Sequence, residues 1–148
     1  QSGDPEHFDR AAQAAPRDAL AGGLADAFRA NDTPAFPQML TQLFQQSNGE
    51  QRAGILNQII SVLGPALAGQ AAGGALSGIL SRGGQVTPQD AERVPAEEVE
   101  RVAAKAEQKN PSIVDQVSEF YSEHPGIVKT LGGAALAIVM ARIAQKHA

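Results

Sequence analysis

The sequence predicts an all-α fold, a single-domain multi-helix bundle, on three observations. Its prolines sit where helices begin, its apolar residues recur at intervals of three and four, and no run of alternating β-branched residues competes with that period. Four of the nine prolines follow an N-capping side chain: Asp4-Pro5, Thr33-Pro34, Thr87-Pro88 and Asn110-Pro111. A first helical residue has no intrahelical acceptor for its N–H, and the φ of proline is already helical, so each pair predicts a helix start. Ala15-Pro16, Gly64-Pro65, Val94-Pro95 and His124-Pro125 are starts without that strong cap.

In chain order, a short helix is expected near 5–14 and a second over 16–30, with Leu20, Leu24, Ala27 and Phe28 on its buried face. The next, about 34–46, sets Phe36, Met39, Leu40, Leu43 and Phe44 at offsets of three, four, seven and eight, the clearest amphipathic pattern in the chain. After Ser47-Asn48-Gly49, a helix carries Ile55, Leu56, Ile59, Ile60, Val62, Leu63 and Leu67, an arc too wide for a single stripe. Gly64-Pro65 should break or kink it, because proline cannot donate to the carbonyl four residues back. A further helical segment then runs through Gly78, and Ser81-Arg82-Gly83-Gly84-Gln85 closes it as a loop.

Thr87-Pro88-Gln89-Asp90 is a variant capping box opening a one-turn helix. A longer helix, from Pro95 to about Gln108, buries Val99, Val102, Ala103 and Ala106, with Glu97 and Arg101 paired on its wet side. Helix 111–123 buries Ile113, Val114, Val117, Phe120 and Tyr121, and the last runs from Pro125 to about Lys146. Two Ala/Gly-rich apolar helices, about 52–80 and 126–145, are expected at the centre, wrapped by the amphipathic ones. The chain divides in this reading into helical halves of about 4–82 and 86–147, joined by the Gly-rich loop at 82–86.

Composition narrows the function. A chain of 148 residues suits one domain that buries roughly 70% of its unfolded surface. Aromatic residues make up only 4%, so the interior relies on aliphatic side chains and alanine. A formal charge of −4 opposes the attraction that supplies most nucleic-acid affinity, which excludes nucleic acid as the expected partner. Without cysteine there is no disulfide or zinc-thiolate site, a composition that fits the cytoplasm.

No catalytic, cofactor or metal constellation is expected. His7, His124 and His147 are scattered, with no His-x-x-x-His spacing, and both the phosphate-binding P-loop and the Gly-x-Ser-x-Gly elbow are absent. Gly83-Gly84-Gln85 is the tripeptide of peptide-chain release factors, but its flanks and the acidic balance mark it as coincidence. Glu119, Tyr121, Glu123, His124 and Lys129 read as a solvated inter-helix turn, and Asp90, Glu92, Glu97, Glu98 and Glu100, interspersed with Arg93 and Arg101, as a solvated helix face.

The most unusual feature is the stretch from Ala53 to Ser81, which holds no charged residue. Its small-xxx-small spacings, Gly69/Gly73 and Gly74/Gly78, allow helix backbones to approach closely. An echo stands at Leu131-Gly132-Gly133-Ala134-Ala135-Leu136, so Gly69, Gly73, Gly74, Gly78, Gly132 and Gly133 form the expected helix-contact or self-association face. Residues 59–80 reach the length of a membrane span, but Gln70, five glycines and a proline reduce helix stability and net hydrophobicity there.

The stretch from Gln85-Val86-Thr87-Pro88-Gln89-Asp90 through Val99-Glu100-Arg101-Val102-Ala103-Ala104-Lys105-Ala106, preceded by a Gly-rich apolar helix, resembles the bacterial YidB-like family. The resemblance covers about a third of the chain and implies a small, helical, non-enzymatic bacterial protein of the cytoplasm. The expected function is therefore self-association or scaffolding, with the chain itself or another protein as partner. The alternatives are a membrane-active protein inserting residues 53–81 and a helical bundle that binds a small molecule.

Overall fold

The computed structural model describes residues 17–83 and 85–147, and the expected helix at 5–14 lies outside them. Every regular element among the described residues is helical. In order they are α1 (Arg17–Arg29), α2 (Phe36–Gln45), α3 (Gly49–Leu63), α4 (Pro65–Ala72), α5 (Gly74–Ser81), α6 (Pro88–Ala91), α7 (Ala96–Lys109), α8 (Ile113–Ser122), α9 (Pro125–Val128), a 3-10 turn (Lys129–Leu131) and α10 (Gly133–His147). The contacts gather into two compact units, one holding the chain up to Met39 and from Val114 onward, the other Leu40–Ile113. These boundaries fall inside α2 and α8.

The loop at 82–86 is thus internal to a unit. Asn57 on α3 holds it by its amide, donating from Nδ2 to the Val86 carbonyl at 3.1 Å and accepting from the Val86 N–H at 3.0 Å. A side-chain amide reproduces here the paired bonds of a strand neighbour, which satisfies both backbone groups of Val86.

In the unit that holds residues 17–39 and 114–147, α1 and α10 pack along their lengths. Leu20, Leu24, Ala27 and Phe28 are buried as the spacing predicts. Ala19, Gly23 and Ala27 form a small-xxx-small-xxx-small stripe on α1, and Gly23 meets the α10 backbone directly: a Cβ there would lie 2.8 Å from the Val139 carbonyl oxygen. The edges of this contact carry an ion pair, Arg142 Nη1 to Asp26 Oδ2 at 2.6 Å. Phe28 and Phe36 stack edge to face with centroids 4.9 Å apart.

Thr33 corrects a predicted start. Its hydroxyl donates backwards, 2.6 Å to the Ala27 carbonyl with Ala30 at 3.2 Å, so it serves the end of α1, and α2 begins only at Phe36. The one-turn helix α6 follows its sequence signal: Thr87 and Asp90 make the reciprocal capping box. A second box at Asn48 and Gln51, both bonds 2.8 Å, opens α3.

Both expected central helices are interrupted. Residues 65–81 form two helices meeting at Gly73, and 125–147 form a turn of helix, a 3-10 turn and α10, meeting at Gly132. The breaks share one geometry, with Gly73 at φ 67, ψ −174 and Gly132 at φ 59, ψ −172, each followed by a glycine of positive φ. That backbone is open to glycine and strained for any other residue. The echo between Ala72–Leu76 and Leu131–Leu136 is therefore a repeated bend, and the two copies lie in different units.

Candidate functional site

Residues 40–113 contain the charge-free segment, and there α4 and α5 fold back on each other as a short hairpin. Each buries one side, Ala68, Gly69 and Ala72 on α4, Leu76 and Ile79 on α5. Pro65, Ala66, Gln70, Gly74, Ser77, Gly78 and Ser81 remain exposed, so this segment is enclosed on one side only. Helix α3, with Ala53, Ile55, Leu56, Ile59 and Leu63 buried, comes closer to the expected central helix.

A break between two short helices leaves carbonyls at the end of the first and N–H groups at the start of the second without partners. Gly73, at the N-cap position of α5, has no side chain to supply one. Two residues of α7, one turn apart, do so from across the unit. The Glu98 carboxylate accepts from the Ala75 N–H (2.9 Å, Oε2) and the Leu76 N–H (2.8 Å, Oε1), while Arg101 donates from Nε and Nη2 to the Ala72 carbonyl at 3.1 and 2.6 Å. An anion thus meets the positive end of α5 and a cation the negative end of α4. Lys109, farther along α7, reaches the Leu63 carbonyl of α3 at 3.5 Å.

The same device closes α2, where Arg52 donates to the carbonyls of Phe44, Gln45 and Ser47 at 3.0–3.1 Å with its guanidinium over the Phe44 ring. Two assignments change accordingly. Glu98 belongs to the buried face with Val99, Val102, Ala103 and Ala106, not to a solvated acidic run, and Arg101 faces the hairpin. Helical spacing carried that signal, since 98 and 102 are four apart on one face.

The six expected contact glycines separate by role. A Cβ on Gly69 would meet Ser77 at an ordinary 3.7 Å, making it the point where α4 and α5 approach. Gly73, Gly74, Gly132 and Gly133 have positive φ and serve the bends. Gly74 also yields space: a Cβ on it would lie 2.5 Å from Glu98 Oε2. Gly78 alone has both a helical backbone and open space around it. The glycines in tight contact are others, Gly22 and Gly23 against α10 and Gly49 against Pro88 and Glu92, and Ala19-x-x-x-Gly23-x-x-x-Ala27 has the spacing that such contact requires.

Pro65, Ala66, Gly69, Gln70, Ser77, Leu80 and Ser81 line an open groove of about 280 Å³ along the hairpin. In the other unit, Asp18, Gly22, Asp115, Glu119 and Ser122 line an open groove of about 410 Å³, at whose rim Asp115 accepts a forked pair of bonds from Arg29 at 3.0 and 3.1 Å. Neither is an enclosed pocket. Tyr121 is fully buried, so the expected polar turn at 119–129 loses its phenol to the core; His124 lies 5.4 Å from the Phe120 ring. Among the described residues no three His, Asp or Glu side chains gather as a metal site.

No single described helix is long and apolar enough to cross a membrane; α3 and α4 reach that length together but bend by 112°. No protein-family model, curated protein or solved structure matches the chain, which leaves its own residues as the ground for a functional reading.

Proposed function

We propose that the protein works without catalysis, by helix–helix association of the α4–α5 hairpin with a second copy of the chain or with another protein. One observation carries the reading: the exposed side of the hairpin is neutral and built from small residues. A solvated helix face ordinarily carries charge, which keeps proteins apart. Here no charged residue occurs from Ala53 to Ser81, and the exposed positions are proline, alanine, glycine, serine and a single glutamine. Among the described residues no large apolar side chain is exposed, so close backbone approach is the contact this surface favours. The YidB-like resemblance points to the same class of protein.

Light scattering over a concentration series, without detergent, tests it. The expected result is a mass that is a multiple of 15.4 kDa, or that grows with concentration. Gly78→Arg and Ala66→Arg place a charge on the exposed side without straining a positive-φ glycine, and each should return the mass to that of one chain. A strict monomer at every concentration removes the second copy as partner and moves association with another protein, or with a membrane, to the front. The bent α3–α4 pair is the observation that favours the membrane alternative, and flotation with liposomes decides it: an associating protein of the proposed kind stays in the aqueous phase.

A further inference from the structure

The Gly73-Gly74 bend is held from outside. Nothing within 65–81 is charged, and both bonding groups that occupy the broken helix ends come from α7. Glycine adopts right-handed helical backbone as well as the left-handed form seen here, so the bend is not forced by its residues and 65–81 can become one helix, at the cost of glycines in a helix interior. In a single helix Ala68, Ala72, Leu76 and Ile79 would follow one another at spacings of four, four and three. That is a continuous apolar stripe, which the hairpin folds away, since all four are buried.

We propose that this hairpin is a clasped joint: when Glu98 and Arg101 release it, α4 and α5 merge into one helix over 65–81 and present the stripe of Ala68, Ala72, Leu76 and Ile79. The closed form shows a small neutral surface, the open form an aliphatic one. This deepens the association reading, on which its consequence rests, because opening replaces the groove by a stripe for a second copy of the chain to pack on. The joint itself opens or stays shut whether or not copies associate.

The absence of cysteine makes the test direct. Nitroxide labels on Ala66→Cys and Ser81→Cys, both exposed, report the separation of the hairpin ends by electron–electron resonance. In the closed form these residues line the same groove. In one helix their backbones stand about 22 Å apart along the axis. Adding Glu98→Ala should produce this longer population with helix content kept. A distribution that stays short in the folded variant overturns the proposal, because glycine geometry and packing then hold the bend unaided.

Should Glu98→Ala not fold, Arg101→Ala with the same labels decides, because it removes the other half of the clasp, the bonds to the Ala72 carbonyl. The longer population is expected there too, and a distribution that stays short in the folded variant overturns the joint. Light scattering on the unlabelled chain and on unlabelled Glu98→Ala keeps the two readings apart: an open joint in a monomer rejects association alone, and a closed joint in an oligomer rejects the joint alone.

Discussion

Gly23 lies against Val139 so closely that a Cβ on it would stand 2.8 Å from the Val139 carbonyl oxygen and 3.0 Å from its Cα. Both are backbone atoms of α10, so neither can turn aside as a side chain end would. Gly23→Ala should therefore separate α1 from α10 and lower stability by about 1–3 kcal/mol, as overpacking of a tight contact does. Gly78→Ala is the matched control: its backbone is helical and nothing stands within 4 Å, so the methyl should raise stability by about 0.5–1 kcal/mol. Urea denaturation midpoints for the two variants should move in opposite directions. A common direction would show that packing does not distinguish these glycines.

Glu98→Gln tests the clasp by chemistry alone. The amide is nearly the same size, but it offers one acceptor oxygen where the carboxylate offers two, and turns an NH₂ toward a backbone N–H. Hydrogen bonds to an ionised group are among the stronger ones, so a loss of about 2 kcal/mol is expected. The exposed neighbours Glu97→Gln and Glu100→Gln should stay within about 0.5 kcal/mol of the parent. If all three variants unfold at the same urea concentration, Glu98 contributes nothing special at the start of α5.

Asp90 makes a pH prediction. Partial burial pushes its pKa upward, but hydrogen bonds from the Thr87 hydroxyl and backbone N–H, with the charge and hydrogen bond of Arg82, outweigh it and hold the carboxyl below the ordinary 3.8. A depressed folded value means the stabilisation is present above the unfolded pKa and is lost as pH falls through the folded one. The carboxyl carbon shift of Asp90, followed by NMR, should have its midpoint below 3.8, and Thr87→Val should move that midpoint upward. An unmoved midpoint would mean that the capping box does not set the charge of Asp90.

Local signals were legible wherever their cause lies within a few residues. The all-α class follows from apolar spacing. The start of α6 follows from Thr87 and Asp90, and the break at Gly64 from Pro65. Thr33 shows where such reasoning ends: the hydroxyl that fits a cap for α2 found a carbonyl of α1 instead, and only the fold places both within reach. The glycine pattern at 69–78 was visible as a pattern, but close contact and left-handed backbone leave the same letters in a sequence. Their sorting needed the φ angles and the neighbours of each Cβ.

What the sequence by itself determined, then, is helicity, most helix ends and a neutral segment of small residues. The tertiary structure decided which small residues touch and which bend, and it made Glu98 and Arg101 end groups for helices far from them in the chain. The physical reason is range. Helical periodicity and capping act within four residues, whereas the partner of a broken helix end is supplied by whichever charged side chain the packing brings to it.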